Sequence, residues 1–265
     1  MNHIIFFSSY SVVRPSILPS QGSDSGSNPD GSILQLWDIM YHIMELRNLK
    51  LKEQYRSDRD NIIADFFIPC LNNCIQYDRA IEYVTLQGLA TLSLGFHNST
   101  PSPRIRLVTG HQFKISDLNT MSKLFVKNGN SRISFNPELI RDAKLEILRK
   151  LITSGNLMLK IGIPSSEEID GKFAEKIGIF QDANGDTVTF TGTSNVSFDN
   201  RSRNFESIDV FTSWNDKSRV DAKKEDFEKL WSNETTTVSV YDFEYAAKHN
   251  LLKYSSEWSI NINSF

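Results

Sequence analysis

Between Lys172 and Trp214 the sequence gathers side chains able to do chemistry without a metal. Lys176 is followed by Asp182, then by Gly192-Thr193-Ser194-Asn195, and finally by Arg203 and Glu206. Cations, hydroxyls, an amide and carboxylates in that order can hold an anion, and no cluster of His, Asp or Glu with metal-ligand spacing accompanies them. Singly, each residue is weak. A lysine on a strand is commonly a solvated edge residue, and loops rich in Ser, Thr and Asn are frequent. The ordered set, running on into Asn204-Phe205-Glu206-Ser207, is the informative signal.

In full the window reads Lys-Phe-Ala-Glu-Lys-Ile-Gly-Ile-Phe-Gln-Asp, a hairpin, Phe-Thr-Gly-Thr-Ser-Asn, and Arg-Asn-Phe-Glu-Ser-Ile-Asp-Val-Phe-Thr-Ser-Trp. It resembles the phospholipase D superfamily in its nuclease-like branch of prokaryotic restriction and defence proteins, a branch also found ahead of helicase modules. That family carries His-x-Lys on a strand, an Asp, Gly-Ser/Thr-x-Asn and then a Glu. Lys176, Asp182, Gly192-Thr193-Ser194-Asn195 and Glu206 match in order, and the similarity extends from about Asn61 to Trp258. Asp182 falls one residue later than the commonest spacing, where Gln181 stands.

The resemblance implies an α/β/α sandwich with a mixed central sheet and metal-independent, cofactor-free cleavage of DNA in antiphage defence or restriction. In it, Lys176 would neutralise a phosphate oxygen, and Thr193 and Asn195 would bond the same phosphate. Ser194 and Arg203 would add substrate contacts, and Asp182 would either join them or cap its turn. Glu206 would orient the family's histidine, the nucleophile that forms a phosphohistidine. Here that position is Ala174, which cannot form the intermediate. His3, His42, His97, His111 and His249 all fall outside the motif. A retired enzyme tends to lose several such residues together, so the retained set reads as a histidine-to-alanine form of an active parent. The alternative is a catalytically silent module that binds nucleic acid or acts as a scaffold. A phosphodiester site of this kind needs two His-Lys motifs, and one motif per chain implies a homodimer sharing one active site. A helicase or ATPase partner is also implied, since no Gly-x-x-x-x-Gly-Lys-Ser/Thr occurs here.

The elements that must position this window read as α/β. Ile33 to about Arg56 has apolar residues at helical spacing, and a second helix is expected after Asp60 as N-cap, with Pro69 inside it. Strands are expected at 80–85 and 104–109, and helices at 87–96, 116–127 and 138–154, the last stopped by Gly155. From 157 the period changes to two, predicting strands at 157–163, 173–180, 187–193 and 206–214. Asp182-Ala-Asn-Gly-Asp186 predicts a hairpin with Asn184-Gly185 at positive φ, and residues 222–231 predict a closing helix. Residues 1–32 form an N-terminal segment with a mobile Gly/Ser-rich loop, and residues 33–265 a single domain.

Composition sets the limits. The chain has 265 residues, 39% of them hydrophobic and 23% charged, an ordinary globular balance that excludes a disordered or collagen-like chain. A net charge of −3 offers no global cation excess for nucleic acid or membrane. Residues 101–150 are locally basic, either as a binding surface or as a solvated helix face. Cys70 and Cys74, four apart in an apolar stretch, suit burial in the core and a reducing, cytoplasmic setting. No window is apolar enough for a membrane span.

Overall fold

Ten strands and six helices are given by a computed structural model that describes residues 45–95, 103–125, 143–165, 171–192 and 205–255, all within the compact unit Met40–Phe265. The strands are β1 (Gln54–Arg56), β2 (Gln76–Ile81), β3 (Arg104–Gly110), β4 (Gln112–Lys114), β5 (Leu157–Pro164), β6 (Ile177–Gln181), β7 (Thr187–Gly192), β8 (Ser207–Thr212), β9 (Val238–Asp242) and β10 (Lys253–Ser255). The helices are α1 (Ile68–Asn73), α2 (Leu86–Gly95), α3 (Ile115–Phe125), α4 (Ala143–Thr153), α5 (Lys217–Trp231) and α6 (Phe243–Lys248). The expected mobile loop at 19–32 lies outside the described residues.

Eight strands form one mixed sheet in the order β1-β8-β7-β6-β2-β3-β5-β9, and β4 pairs with β10 apart from it. β2, β3 and β5 are parallel; the remaining neighbours in the large sheet are antiparallel. Both parallel crossovers step the same way across the sheet, so right-handed connections put α2, α3 and α4 on one face. That face also takes Phe66 and Phe67, whose rings pack edge-on against Phe180 and Phe190. On the opposite face, α5 sets Phe227 and Leu230 against Ala80, Val108, Ile177 and Ile179. The expected α/β/α sandwich with a mixed sheet is the architecture found.

Several local expectations are corrected. Residues 54–56 are a strand and not the end of a helix, because pairing with β8 supplies hydrogen bonds that a helix end would lack. Asn61 caps the second helix through its Oδ1, 3.2 Å from Ala64 N, while Asp60 accepts from Arg56 N and Lys52 Nζ. That helix opens with a π-helical turn, Ile63–Phe67, and Pro69 sits in the first turn of α1, where a missing N–H costs little. Its second cysteine, Cys74, and Cys70 are both buried in the core.

β2 begins four residues before the expected strand. Its start is masked in the sequence by Asp78 and Arg79, both buried. Asp78 takes two hydrogen bonds from Arg106, at 2.7 and 2.6 Å, and Arg106 reaches on to Glu228 of α5. Burial works against the Arg106 charge, but the bonds to Asp78 and Glu228 hold its pKa above the usual range. The basic stretch at 101–150 therefore places one of its cations inside the fold, and Arg149 is bonded to Glu146. β9, α6 and β10 went unread because they are short. Phe243 and Ala246 of α6 are fully buried, so residues 238–255 are structural and not a free tail. Among the described residues no helix is long and apolar enough to cross a membrane.

Candidate active site

Strand register decides which chemistry-bearing residues meet. β6 runs antiparallel to β2 and β7, with Arg79 opposite Gly178 and Thr191 opposite Ile177. β8 runs antiparallel to β7, with Ile208 opposite Gly192. The approach to β6 (Ala174, Glu175, Lys176), the end of β7 at Gly192, and Glu206 before β8 therefore share one end of the sheet. The same end receives Glu82 from β2 and Gly110 from β3. Open α/β sheets bind ligands at this carboxyl end of their parallel strands.

The 174–176 segment was expected inside a strand; it lies just ahead of one, because the ladder of β6 begins at Ile177, opposite Thr191. Phe173 anchors it. A Cβ on Gly162 would lie 2.8 Å from the Phe173 ring, so only glycine there lets the ring settle over β5. Ala174 follows as an exposed residue. Lys176 is one-quarter exposed, and its Nζ lies 3.4 Å from Glu82 Oε2.

Gly192 ends β7 at φ +142°, and a Cβ on it would stand 2.1 Å from the Ser207 carbonyl oxygen. The glycine of Gly-Thr-Ser-Asn is thus demanded by the close approach of β8. Thr193, Ser194, Asn195 and Arg203 lie outside the described residues. Glu206 is tied to the turn after β1 by its own N–H, which donates to Ser57 Oγ at 2.9 Å, and by its carbonyl, which accepts from Ser57 N at 3.0 Å.

Asp182 is placed elsewhere. It ends the hairpin at the far end of β6, about 20 Å along the strand from Lys176 at roughly 3.3 Å per residue. Its carboxylate accepts from Leu46, Asn184 and Asp186 N–H groups at 2.9, 3.0 and 2.9 Å. Burial raises its pKa against the pull of those donors. It is a turn cap and touches nothing at the Lys176 end. The positive φ of that turn falls on Gly185 alone, at +85°, and not on Asn184.

The sequence reading missed three groups at this end. Arg79, 2% exposed, lays its guanidinium 4.4 Å over the Phe190 ring. Burial lowers its pKa, while Tyr77 and Glu206 support the charge, so a buried cation sits in the field of the candidate site. Glu82, the partner of Lys176, lines a small open recess with Gly110, His111, Lys172 and Phe173. The third is Phe205, an exposed ring directly before Glu206. Arg79 stands beside another charge, Asp78, so no apolar run marked it as buried. Among the described residues no group of three or more His, Cys, Asp or Glu could hold a metal ion.

No protein-family description matches the chain, and no curated protein matches it in sequence. Among solved structures it is similar to NucT from Helicobacter pylori, at 12% identity and a TM-score of 0.42, over 71% of this chain and 97% of that one. It is also similar to TrmBL2, an archaeal chromatin protein whose structure shows a novel mode of DNA binding. That likeness has 13% identity and a TM-score of 0.37, over 80% of this chain and 62% of that one.

Proposed function

We propose that the chain is the histidine-to-alanine form of a phospholipase D-like nuclease subunit whose parent cleaves DNA without a metal in a prokaryotic defence or restriction system. One observation carries this: the approach to β6 with Ala174 and Lys176, the Gly192 end of β7 and Glu206 share one end of the sheet. The motif order alone required no such meeting.

With histidine at position 174, an imidazole nitrogen attacks phosphorus as the bond to the leaving oxygen breaks. The corresponding imidazole of a two-fold-related copy gives that oxygen its proton. Water then attacks the phosphohistidine, gives up a proton to the second imidazole and frees the first. Lys176 exchanges Glu82 for phosphate oxygens and opposes the charge that builds in the five-coordinate transition state. Thr193 and Asn195 bond the same phosphate, and Ser194 and Arg203 contact the backbone beside it. Glu206 orients the imidazole.

Ala174 itself favours a second reading, a silent module that holds nucleic acid without cutting it. The two separate in one assay. Ala174→His is tested in EDTA on plasmid, single-stranded DNA, RNA and phospholipid. Cleavage of DNA supports the nuclease; cleavage of lipid alone or activity only with Mg²⁺ overturns it; binding of DNA without cleavage supports the silent module. An ATPase or helicase partner is tested by pull-down from the native host with and without residues 256–265, which spares β9, α6 and β10. Recovery of no ATPase by either form would contradict that part.

A further inference from the structure

Phe205 precedes Glu206 directly and is 62% exposed, the most exposed of the large apolar side chains described. It is not bare. The Arg56 guanidinium, from the end of edge strand β1, lies 4.9 Å from its ring centroid. The register of β1 on β8 fixes this pairing, since Arg56 is opposite Ser207 and the Glu206–Ser57 hydrogen bonds lock the two chain ends together. An exposed ring braced by a planar cation costs apolar hydration that a folding role would not require. Arg56 belongs to a charged turn with Lys52, Asp58, Arg59 and Asp60. Arg56 lies 3.4 Å from Asp58, while Lys52 and Arg59 lie 2.6 and 3.6 Å from Asp60.

We infer that Phe205 and Arg56 form a stacking platform for an unstacked base of single-stranded DNA, at the same end of the sheet as Lys176. This rests on the proposed nuclease reading and adds the strand state of its substrate. An aromatic face accepts any base, and a guanidinium stacked beneath it adds cation–π attraction while its edge meets a phosphate. A duplex keeps its bases stacked and offers none to the ring. The platform therefore selects single-stranded or locally opened DNA without reading sequence.

The test uses the chain as it stands, because Ala174 allows binding to be measured without cleavage. Anisotropy is followed with a labelled short single-stranded DNA, the same strand made abasic, and its duplex. Phe205→Ala is expected to weaken the intact strand by roughly tenfold, the scale of one stacked base, and to leave the abasic strand unchanged. Phe205→Trp is expected to retain affinity. Equal loss for intact and abasic strands, or no loss, overturns the platform. Binding that falls with Lys176→Ala but not with Phe205→Ala rejects the platform and leaves the nuclease reading standing. Binding of no nucleic acid at all rejects both. Binding of RNA in preference to DNA overturns the assignment of the ligand. Phe205 is on the surface, so thermal unfolding of each variant is expected to match the parent.

Discussion

Position 174 and its neighbours show how much a single side chain decides. A lysine two residues on, a glycine that only glycine can be, and a carboxylate just ahead of the next strand but one stand at the same sheet end as an alanine that has no lone pair. Gly192 gives the sharpest residue-scale expectation. Its φ of +142° and the nearby Ser207 oxygen leave no room for a Cβ, so Gly192→Ala is expected to lose about 1–3 kcal/mol from backbone strain alone. Urea denaturation checks this; an unchanged midpoint would contradict the close approach of β7 and β8. The two cysteines give a chemical readout of the core. Burial pushes both thiols up, so Cys70 and Cys74 are expected to resist a thiol reagent in the native state and react once unfolded. Rapid native labelling would place them outside the core. Lys176 and Glu206 were singled out by their order in the motif; Arg79 and Glu82 were not, since a lone buried cation and a carboxylate whose partner is distant in sequence leave no local pattern.

At the scale of elements, the Asp78–Arg106–Glu228 group joins β2 and β3 to α5. Glu228 is held below the ordinary glutamate pKa of 4.5 by its bond to Arg106, against some desolvation. A depressed pKa stabilises the fold above the unfolded value and loses that contribution as pH falls through the folded one. Stability measured by urea at a series of pH values is therefore expected to drop below about 4.5, and Glu228→Gln to flatten that acid limb. An identical limb in both would remove Glu228 from the linkage. The long periodic elements, β3, β5 and α2, were read within a residue or two, because periodicity reports the buried face directly. β2 was displaced because a buried Asp–Arg pair looks like a loop, and the strand expected at 173–180 started early because alternation continues into an unpaired approach. β1, β9 and β10 are defined by their partners across the sheet, which a local pattern cannot show.

On the proposed reading the whole molecule carries one motif where the chemistry needs two imidazoles. Sedimentation of the chain at micromolar concentration is expected to show a dimer, and a stable monomer in the presence of oligonucleotide would count against the shared site. A mixed dimer of one Ala174→His protomer with one unaltered protomer is expected to be nearly inactive, since one histidine cannot serve as both nucleophile and acid. The most direct measurement is of the covalent intermediate. Ala174→His protein is mixed with labelled DNA in EDTA, quenched under conditions that preserve phosphohistidine, digested and analysed by mass spectrometry. A DNA-derived phosphoryl adduct on the peptide spanning residues 172–176, absent from the unaltered chain and reduced by Lys176→Ala, is the expected result. Cleavage of DNA with no adduct on that peptide would contradict the assignment of position 174 as the nucleophile.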